Sequence, residues 1–386
     1  MEVRGHSETP VEPAVATPPP RRARRLLLAC LAALAAVFGF DALLFRTGFY
    51  AAINQPDSTS GIFELTFRRE LRKQSECGDN MVVTLGDSRF GYLPRLANRL
   101  TPQSGYVFRH AGLAGTDVRS YYYMLRDLDP TARRYRAVVF GVNDYDDEDV
   151  GQVPEEELGQ MHYFIGHLRL SDIWDFARSF KGPALQWAAF RGALLKGLVY
   201  QSDIQALISH PLKRLSDVML YRENWADWTY EYDEDPRSLA GLTIDWPKWR
   251  ASFPAGADDV QRETVRDVLM RRTVPQRGVV AGFRRKWYGR IFEHYRNSAT
   301  RIIFVRLARG PIPRPEGLVT KLSSSIREFA SRPNVRLADE HAFDPLERPE
   351  FFKDGTHLNR EGSIRFSTLL VREIGRILGP AKGGGS

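Results

Sequence analysis

Cysteine is scarce. Cys30 and Cys77 are the only two in 386 residues, which excludes a disulfide scaffold and a cysteine-built zinc site. Long apolar runs are equally scarce, with a single one near the N-terminus, so a multispanning membrane protein is excluded. Charge of one sign is not concentrated either. The 55 Lys+Arg residues outnumber 47 Asp+Glu for a formal net charge of +8, but the arginines are scattered, and no nucleic-acid partner is expected. What is present is ordinary globular material: 43 % apolar and 26 % charged residues, which excludes a wholly disordered chain. The length suits one large domain or two ordinary ones.

The N-terminal segment 1–25 reads as a disordered cytoplasmic tail. Pro10, Pro13, Pro18, Pro19 and Pro20 crowd a stretch with few large side chains to bury. Four arginines between Arg21 and Arg25 then precede Leu26 to Phe45, whose only charge is Asp41. As a helix, these twenty residues span about 30 Å, the thickness of a bilayer's hydrocarbon. A cleaved signal peptide, a lipoprotein box ending at Cys30 and a buried soluble helix are the competing readings. The apolar run continues well past Ala33-Leu34-Ala35, and too few apolar residues precede Cys30 for a lipoprotein signal. The segment 26–45 is therefore expected to be a single-pass anchor in the inner (cytoplasmic) membrane. The arginine bias puts the N-terminus in the cytoplasm and the bulk of the chain in the periplasm or outside the cell. Residues 46–75 read as a neck, with Arg68, Arg69, Arg72 and Lys73 near the exit from the bilayer, and 381–386 as a flexible tail.

Across 76–380, apolar runs alternate with helical patterns. Met81–Leu85, Tyr106–Arg109, Ala137–Gly141, Arg301–Leu307 and Val335–Ala338 predict strands of a buried parallel sheet. Val118–Leu128, Leu318–Ser331 and Arg360–Leu378 predict helices. The fold class is α/β, a three-layer α/β/α sandwich. Residues 150–285 interrupt the rhythm and concentrate tryptophan at 174, 187, 225, 228, 246 and 249. They predict a mostly helical insertion, including His162–Arg178, packed by its own tryptophans and set over the sheet edge that bears the candidate nucleophile.

Four short motifs fall just after predicted strands or before the last helix. They are Gly86-Asp87-Ser88-Arg89, His110 to Asp117 with Gly112 and Gly115, Gly141-Val142-Asn143-Asp144, and Asp354-Gly355-Thr356-His357. Each alone also reads as a turn or a helix cap. Together they bring a hydroxyl nucleophile, an imidazole, a carboxylate and oxyanion donors to one edge of one sheet, where such folds bind ligands. The acidic run Asp144 to Asp149 reads as a solvated loop rather than a calcium site.

In these motifs the chain resembles the SGNH (GDSL-like) hydrolases. Gly86-Asp87-Ser88 resembles the family's first block, Gly115 the glycine of its second, Gly141 to Asp144 its G-x-N-D block, and Asp354-x-x-His357 its fifth. Twenty-seven residues separate Ser88 from Gly115 and 28 separate Gly115 from Asn143. The resemblance covers about residues 78–150 and 300–380. It implies a flavodoxin-like α/β/α fold, with Ser88 as nucleophile, His357 as base and then acid, and Asp354 orienting the imidazole. Ser88, Gly115 and Asn143 would supply the oxyanion hole. No cofactor or metal is implied. Arg89 and Arg306, with Arg309 nearby, are candidates for holding an anionic substrate group, and solvated surface arginines are the alternative reading of Arg306 and Arg309.

With the anchor, the resemblance points to envelope proteins that add or remove acyl groups on glycans. The expectation is an O-acyltransferase, acetyl above all, on a cell-envelope or exported polysaccharide. A multispanning membrane acyltransferase partner would bring the acyl group across. An acyl or acetyl esterase that uses water as acceptor is the alternative, and a catalytically inactive envelope scaffold is an alternative of another class.

Overall fold

The computed structural model describes residues 21–73, 79–90, 93–142, 158–224, 235–270, 277–312 and 322–381. In chain order the helices are α1 (Arg21–Phe45), α2 (Thr59–Arg72), α3 (Leu93–Leu100), α4 (Val118–Leu128), α5 (Met161–Phe164), α6 (Ile173–Ala177), α7 (Pro183–Leu194), α8 (Gln201–Ser209), α9 (Pro211–Asn224), α10 (Asp259–Thr264), α11 (Arg277–His294), α12 (Ser324–Arg327) and α13 (Arg360–Leu378). The strands are β1 (Met81–Leu85), β2 (Val107–His110), β3 (Ala137–Val142), β4 (Thr243–Asp245), β5 (Arg250–Ser252), β6 (Arg301–Arg306) and β7 (Val335–Leu337).

Five strands form one parallel sheet in the order β2-β1-β3-β6-β7. The central strands β1, β3 and β6 are largely apolar on both sides because both faces are covered. Val83 and Leu85 of β1, Val138 and Phe140 of β3, and Ile302 and Phe304 of β6 point into a core shared with α4 and α11. The alternate residues Val82, Val139, Ile303 and Val305 point into a second core with Ala97 of α3 and Phe366, Leu370 and Ile374 of α13. The result is a three-layer α/β/α sandwich. The chain leaves β1 toward β2 on one side, then returns to β3 on the other, so the switch point of the winding lies between β1 and β3.

Local signals match the helices that cover the sheet. Asp117 caps α4 by accepting the Arg119 and Ser120 N–H groups at 3.0 and 3.1 Å. Asn359 caps α13 through the Gly362 N–H at 3.0 Å. Both helices have the limits expected from the sequence, while β2 is displaced by one residue. The helix expected over 318–331 is shorter, with α12 running into a 3-10 turn at Glu328–Ser331, and 313–321 lie outside the described residues. The stretch His162–Arg178 is a chain of short turns, not one helix. Extended Leu168 and Arg169 interrupt it, and the Asp172 carboxylate accepts the Arg169 N–H at 2.7 Å to start a new turn.

Three expectations are corrected. Residues 46–73 are not a separate neck. Phe63 is buried in the α4 core, Glu64 reaches His167 at 3.3 Å, and Arg69 donates to the His110 carbonyl at the end of β2, 2.8 Å away. The insertion is packed only in part by its tryptophans. Trp246 packs against the second core and meets Trp249 at 5.4 Å, but Trp174 and Trp187 are 59 % and 61 % exposed, Trp225 and Trp228 lie outside the described residues, and Phe164, Phe176 and Phe180 fill the other interior. Its boundary at 285 also cuts α11, which packs on α4 as part of the sandwich.

α1 is long and apolar enough to cross a membrane, and its leucines from Leu26 to Leu34 are exposed. Its last turn is different. Asp41 is buried and accepts the Lys196 and Gly197 N–H groups at 3.1 and 2.8 Å. Phe45 stacks on Tyr200 at 5.2 Å, and Arg46 donates to the Ala193 and Leu194 carbonyls at 2.6 and 3.0 Å, closing the end of α7. The last five residues of the expected anchor 26–45 thus include side chains that are part of the folded domain.

Candidate active site

Ser88 lies in the turn that follows β1 directly, so it sits beyond the carboxyl end of a strand at the switch point. Two neighbouring turns close around it. A β-carbon on Gly112 would lie 2.3 Å from the Gly86 carbonyl oxygen, so glycine allows the β2 turn to approach the β1 turn backbone to backbone. Gly115 has φ +72°, a left-handed conformation that glycine adopts without strain. From the insertion, Gln160 and Tyr163 donate to the Gly115 and Ala114 carbonyls at 2.7 and 2.8 Å and fix that turn.

The imidazole arrives from the opposite side. Residues 353–357 form a tight loop closed by an antiparallel bridge between Phe352 and Leu358 and by the Lys353 N–H on the His357 carbonyl, 3.0 Å. Inside it, one oxygen of Asp354 accepts the Thr356 and His357 N–H groups, both at 2.8 Å. The same carboxylate meets His357 Nδ1 at 2.9 and 3.1 Å. His357 Nε2 lies 2.9 Å from Ser88 Oγ. The three residues expected to act together therefore form one hydrogen-bonded relay. The Asx turn that the motif alone also suggested is present, and it is what orients the ring.

Electrostatics fit the relay. Burial pushes the Asp354 carboxyl up, but His357 and the two loop N–H groups outweigh it and hold the pKa down at about 2. A carboxylate charged at neutral pH keeps the Nδ1 proton in place and leaves Nε2 to accept from the hydroxyl. Asp87 is likewise held below its ordinary range, burial being overcome mainly by Arg89.

The remaining site residues divide. Among the described residues, the backbone N–H groups of Ser88 and Gly115 have no hydrogen-bond partner, as donors reserved for a substrate oxygen would. Asn143 lies outside the described residues, as does the acidic run that follows it. Arg89 folds back on Asp87, with a 2.8 Å ion pair. Arg306 is corrected: it is 1 % exposed, paired with Asp344 and with Glu347 at 2.9 Å, and so holds two loops together rather than a substrate. Arg309 is buried too, and its N–H donates to the same Glu347 at 3.0 Å.

Two contributors were invisible in the sequence. Buried Gln261 donates to the Lys353 carbonyl at 2.6 Å, and Thr264 Oγ1 accepts the Gly355 N–H at 3.0 Å. Both come from α10, which runs into a π-helical turn at Val265–Leu269, a form frequent beside functional sites. They grip the loop that carries Asp354 and His357. The only sequence sign is the capping box of Asp258 and Gln261, which reports a helix start and not its target.

No protein-family model matches this chain, and no curated protein matches it significantly.

Proposed function

We propose that the chain is a membrane-anchored serine acyltransferase with SGNH-type chemistry, acting on glycan hydroxyl groups outside the cytoplasm. The observation that carries this reading is the Ser88–His357–Asp354 relay, with hydrogen bonds of 2.9 Å at both links, seated at the switch point of a doubly wound sheet. The strand order and the four ordered motifs support an SGNH-type fold.

In the mechanism, Ser88 Oγ attacks the acyl carbonyl of the donor while His357 Nε2 takes its proton. Negative charge collects on the carbonyl oxygen, which the Ser88 and Gly115 N–H groups meet. One such donor is worth about 10²–10³ in rate. The donor's leaving oxygen or sulfur then takes the proton from His357 and departs, leaving an acyl ester on Ser88. An acceptor hydroxyl gives its proton to His357, attacks this ester and carries the acyl group away as Ser88 regains its proton. A sugar as acceptor makes the chain a transferase and water makes it an esterase.

The arginines at the start of α1 support an N-in, C-out orientation. Acyl thioesters made in the cytoplasm then require a separate membrane partner to cross the bilayer. Labelling with a fluorophosphonate and transfer of acetyl from a chromogenic ester to oligosaccharide test the reading. Wild-type protein is expected to label and turn over, and Ser88→Ala to lose both while staying folded. Equal labelling of the two proteins would remove Ser88 as nucleophile, and no labelling of either would leave the scaffold reading.

A further inference from the structure

Helices α8 and α9 form a hairpin in which α8 packs Ile204 and Leu207 against the core while α9 turns an apolar side outward. On α9, Leu212, Leu215, Met219 and Leu220 recur at i, i+3, i+7 and i+8 and make one stripe along the helix. Leu212 is 81 % exposed, Met219 63 %, and Ile208 at the end of α8 75 %. The inward side carries the polar anchor instead. Arg214 is buried, meets Asp203 of α8 at 3.0 Å and donates to the Ile53 carbonyl at 3.1 Å, while Val218 packs beneath it. A helix with its arginine inside and its leucines outside calls for an apolar partner, which the described residues do not supply.

The location of the hairpin identifies that partner. Asp203 also accepts from the Tyr50 hydroxyl and from the Gln55 N–H. Tyr200, just before α8, stacks on Phe45 at the end of α1, and Gly197 is bonded to Asp41. Phe49 and Leu198, beside this junction, are 59 % and 50 % exposed. The hairpin is thus mounted on the foot of the apolar helix, and Phe40 and Leu43 of α1 are exposed close to the same junction. We propose that α9 lies in the membrane interface with Leu212, Leu215 and Met219 in the acyl-chain region, so that the domain rests on the bilayer and does not merely hang from one span. The proposal rests on the reading of α1 as a membrane span. Lys213, exposed on the flank of the stripe, is suited to the headgroup layer.

The test uses the full chain with Cys30 and Cys77 replaced by serine, reconstituted in phospholipid nanodiscs. Single nitroxide labels at L34C, L215C and R365C report collision with lipid-soluble oxygen and with a water-soluble nickel chelate. Arg365 is on the exposed side of α13. The expected result is a label at position 215 at least about fivefold less accessible to nickel than the label at 365, and more accessible to oxygen. Position 34 should behave as fully embedded. A label at 215 as open to nickel as that at 365, with 34 embedded, overturns the interfacial helix and leaves the span standing. Water access at position 34 overturns the span and this proposal with it. Protection at 215 in native membranes but not in nanodiscs assigns the face to a protein, and protection that tracks protein concentration in detergent assigns it to a second copy. Either outcome overturns the lipid assignment.

Discussion

Gly355→Ala probes whether the α10 contact sets the geometry of the relay. A β-carbon at 355 would lie 2.6 Å from the Thr264 carbonyl oxygen, 2.7 Å from its carbon and 2.9 Å from the Val265 nitrogen. All three are backbone atoms, so no side-chain rotation relieves the contact. Reaching ordinary contact requires the loop and α10 to separate by about 0.8 Å, in an interior packed too densely to absorb that locally. If the loop moves, the 2.9 Å link between Ser88 and His357 lengthens to roughly 3.7 Å, beyond hydrogen-bond reach. The overpacking costs about 1–3 kcal/mol, and a displacement near 1 Å costs about a hundredfold in rate. The expected protein is folded, melts several degrees lower and reacts with fluorophosphonate about a hundredfold more slowly. Thr264→Val is the companion, since it leaves the Gly355 N–H without its acceptor, at about 1–3 kcal/mol, and adds no bulk. Its labelling rate should fall less. Gly355→Ala protein that labels at the wild-type rate would refute the claim that this contact positions His357.

Asp354→Asn should lower ester turnover by about 10⁴ with the fold intact, because an amide stabilises the wrong imidazole tautomer. The Asp354 pKa is depressed to about 2, so its stabilising pair is complete above the ordinary aspartate value and fails only as pH falls through about 2. Turnover lost in mildly acidic buffer is therefore not protonation of Asp354, and circular dichroism across the acid range checks that its pair persists. His167 lies buried 3.0 Å from Asp127 and 3.3 Å from Glu64; burial lowers its pKa, but these two carboxylates prevail and raise it. That stabilisation is complete below about pH 6.5 and is lost as pH rises through the raised value, so the melting temperature should drop on the alkaline side, and His167→Gln should flatten the drop. Arg306→Ala should cost about 3–5 kcal/mol in denaturant unfolding, because it leaves buried Glu347 without its cation. A stable Arg306→Ala protein that has lost transfer alone would restore the substrate role.

The sheet and the relay were legible because their signals are local. Met81–Leu85 is a strand apolar but for Thr84, with the serine turn directly behind it, and Asp354 and His357 are three residues apart, close enough for one loop to pair them. The misreadings involve partners far away in the chain. Asp41 reads as a stray charge in a membrane span until Lys196 and Gly197, more than 150 residues later, present their N–H groups to it. Arg306 reads as a surface arginine until Glu347 arrives 41 residues on. Gln261 and Thr264 carry no sign of the loop they hold, 92 and 91 residues away. The tryptophans misled for another reason: ring size suggests burial, but phenylalanines had already filled the available interior.

The docked last turn of α1 has a mechanical consequence. A catalytic domain on a loose linker wanders through a volume above the bilayer, and its encounters with a membrane-borne donor depend on linker length. Here Asp41 and Arg46 bolt the span to α7 and the turn after it, and α2 runs as a strut from that mount to the sheet edge, where Arg69 holds the His110 carbonyl. A 14-residue helix measures about 21 Å, so the serine stands at a set height from the foot of the span. With height and tilt fixed, sliding and spinning in the plane of the membrane are the movements left, and the search for a donor becomes two-dimensional. Under the proposed acyl-transfer reading, a donor would have to present its acyl group at that one elevation, which would make standoff a selection rule independent of the shape of the site.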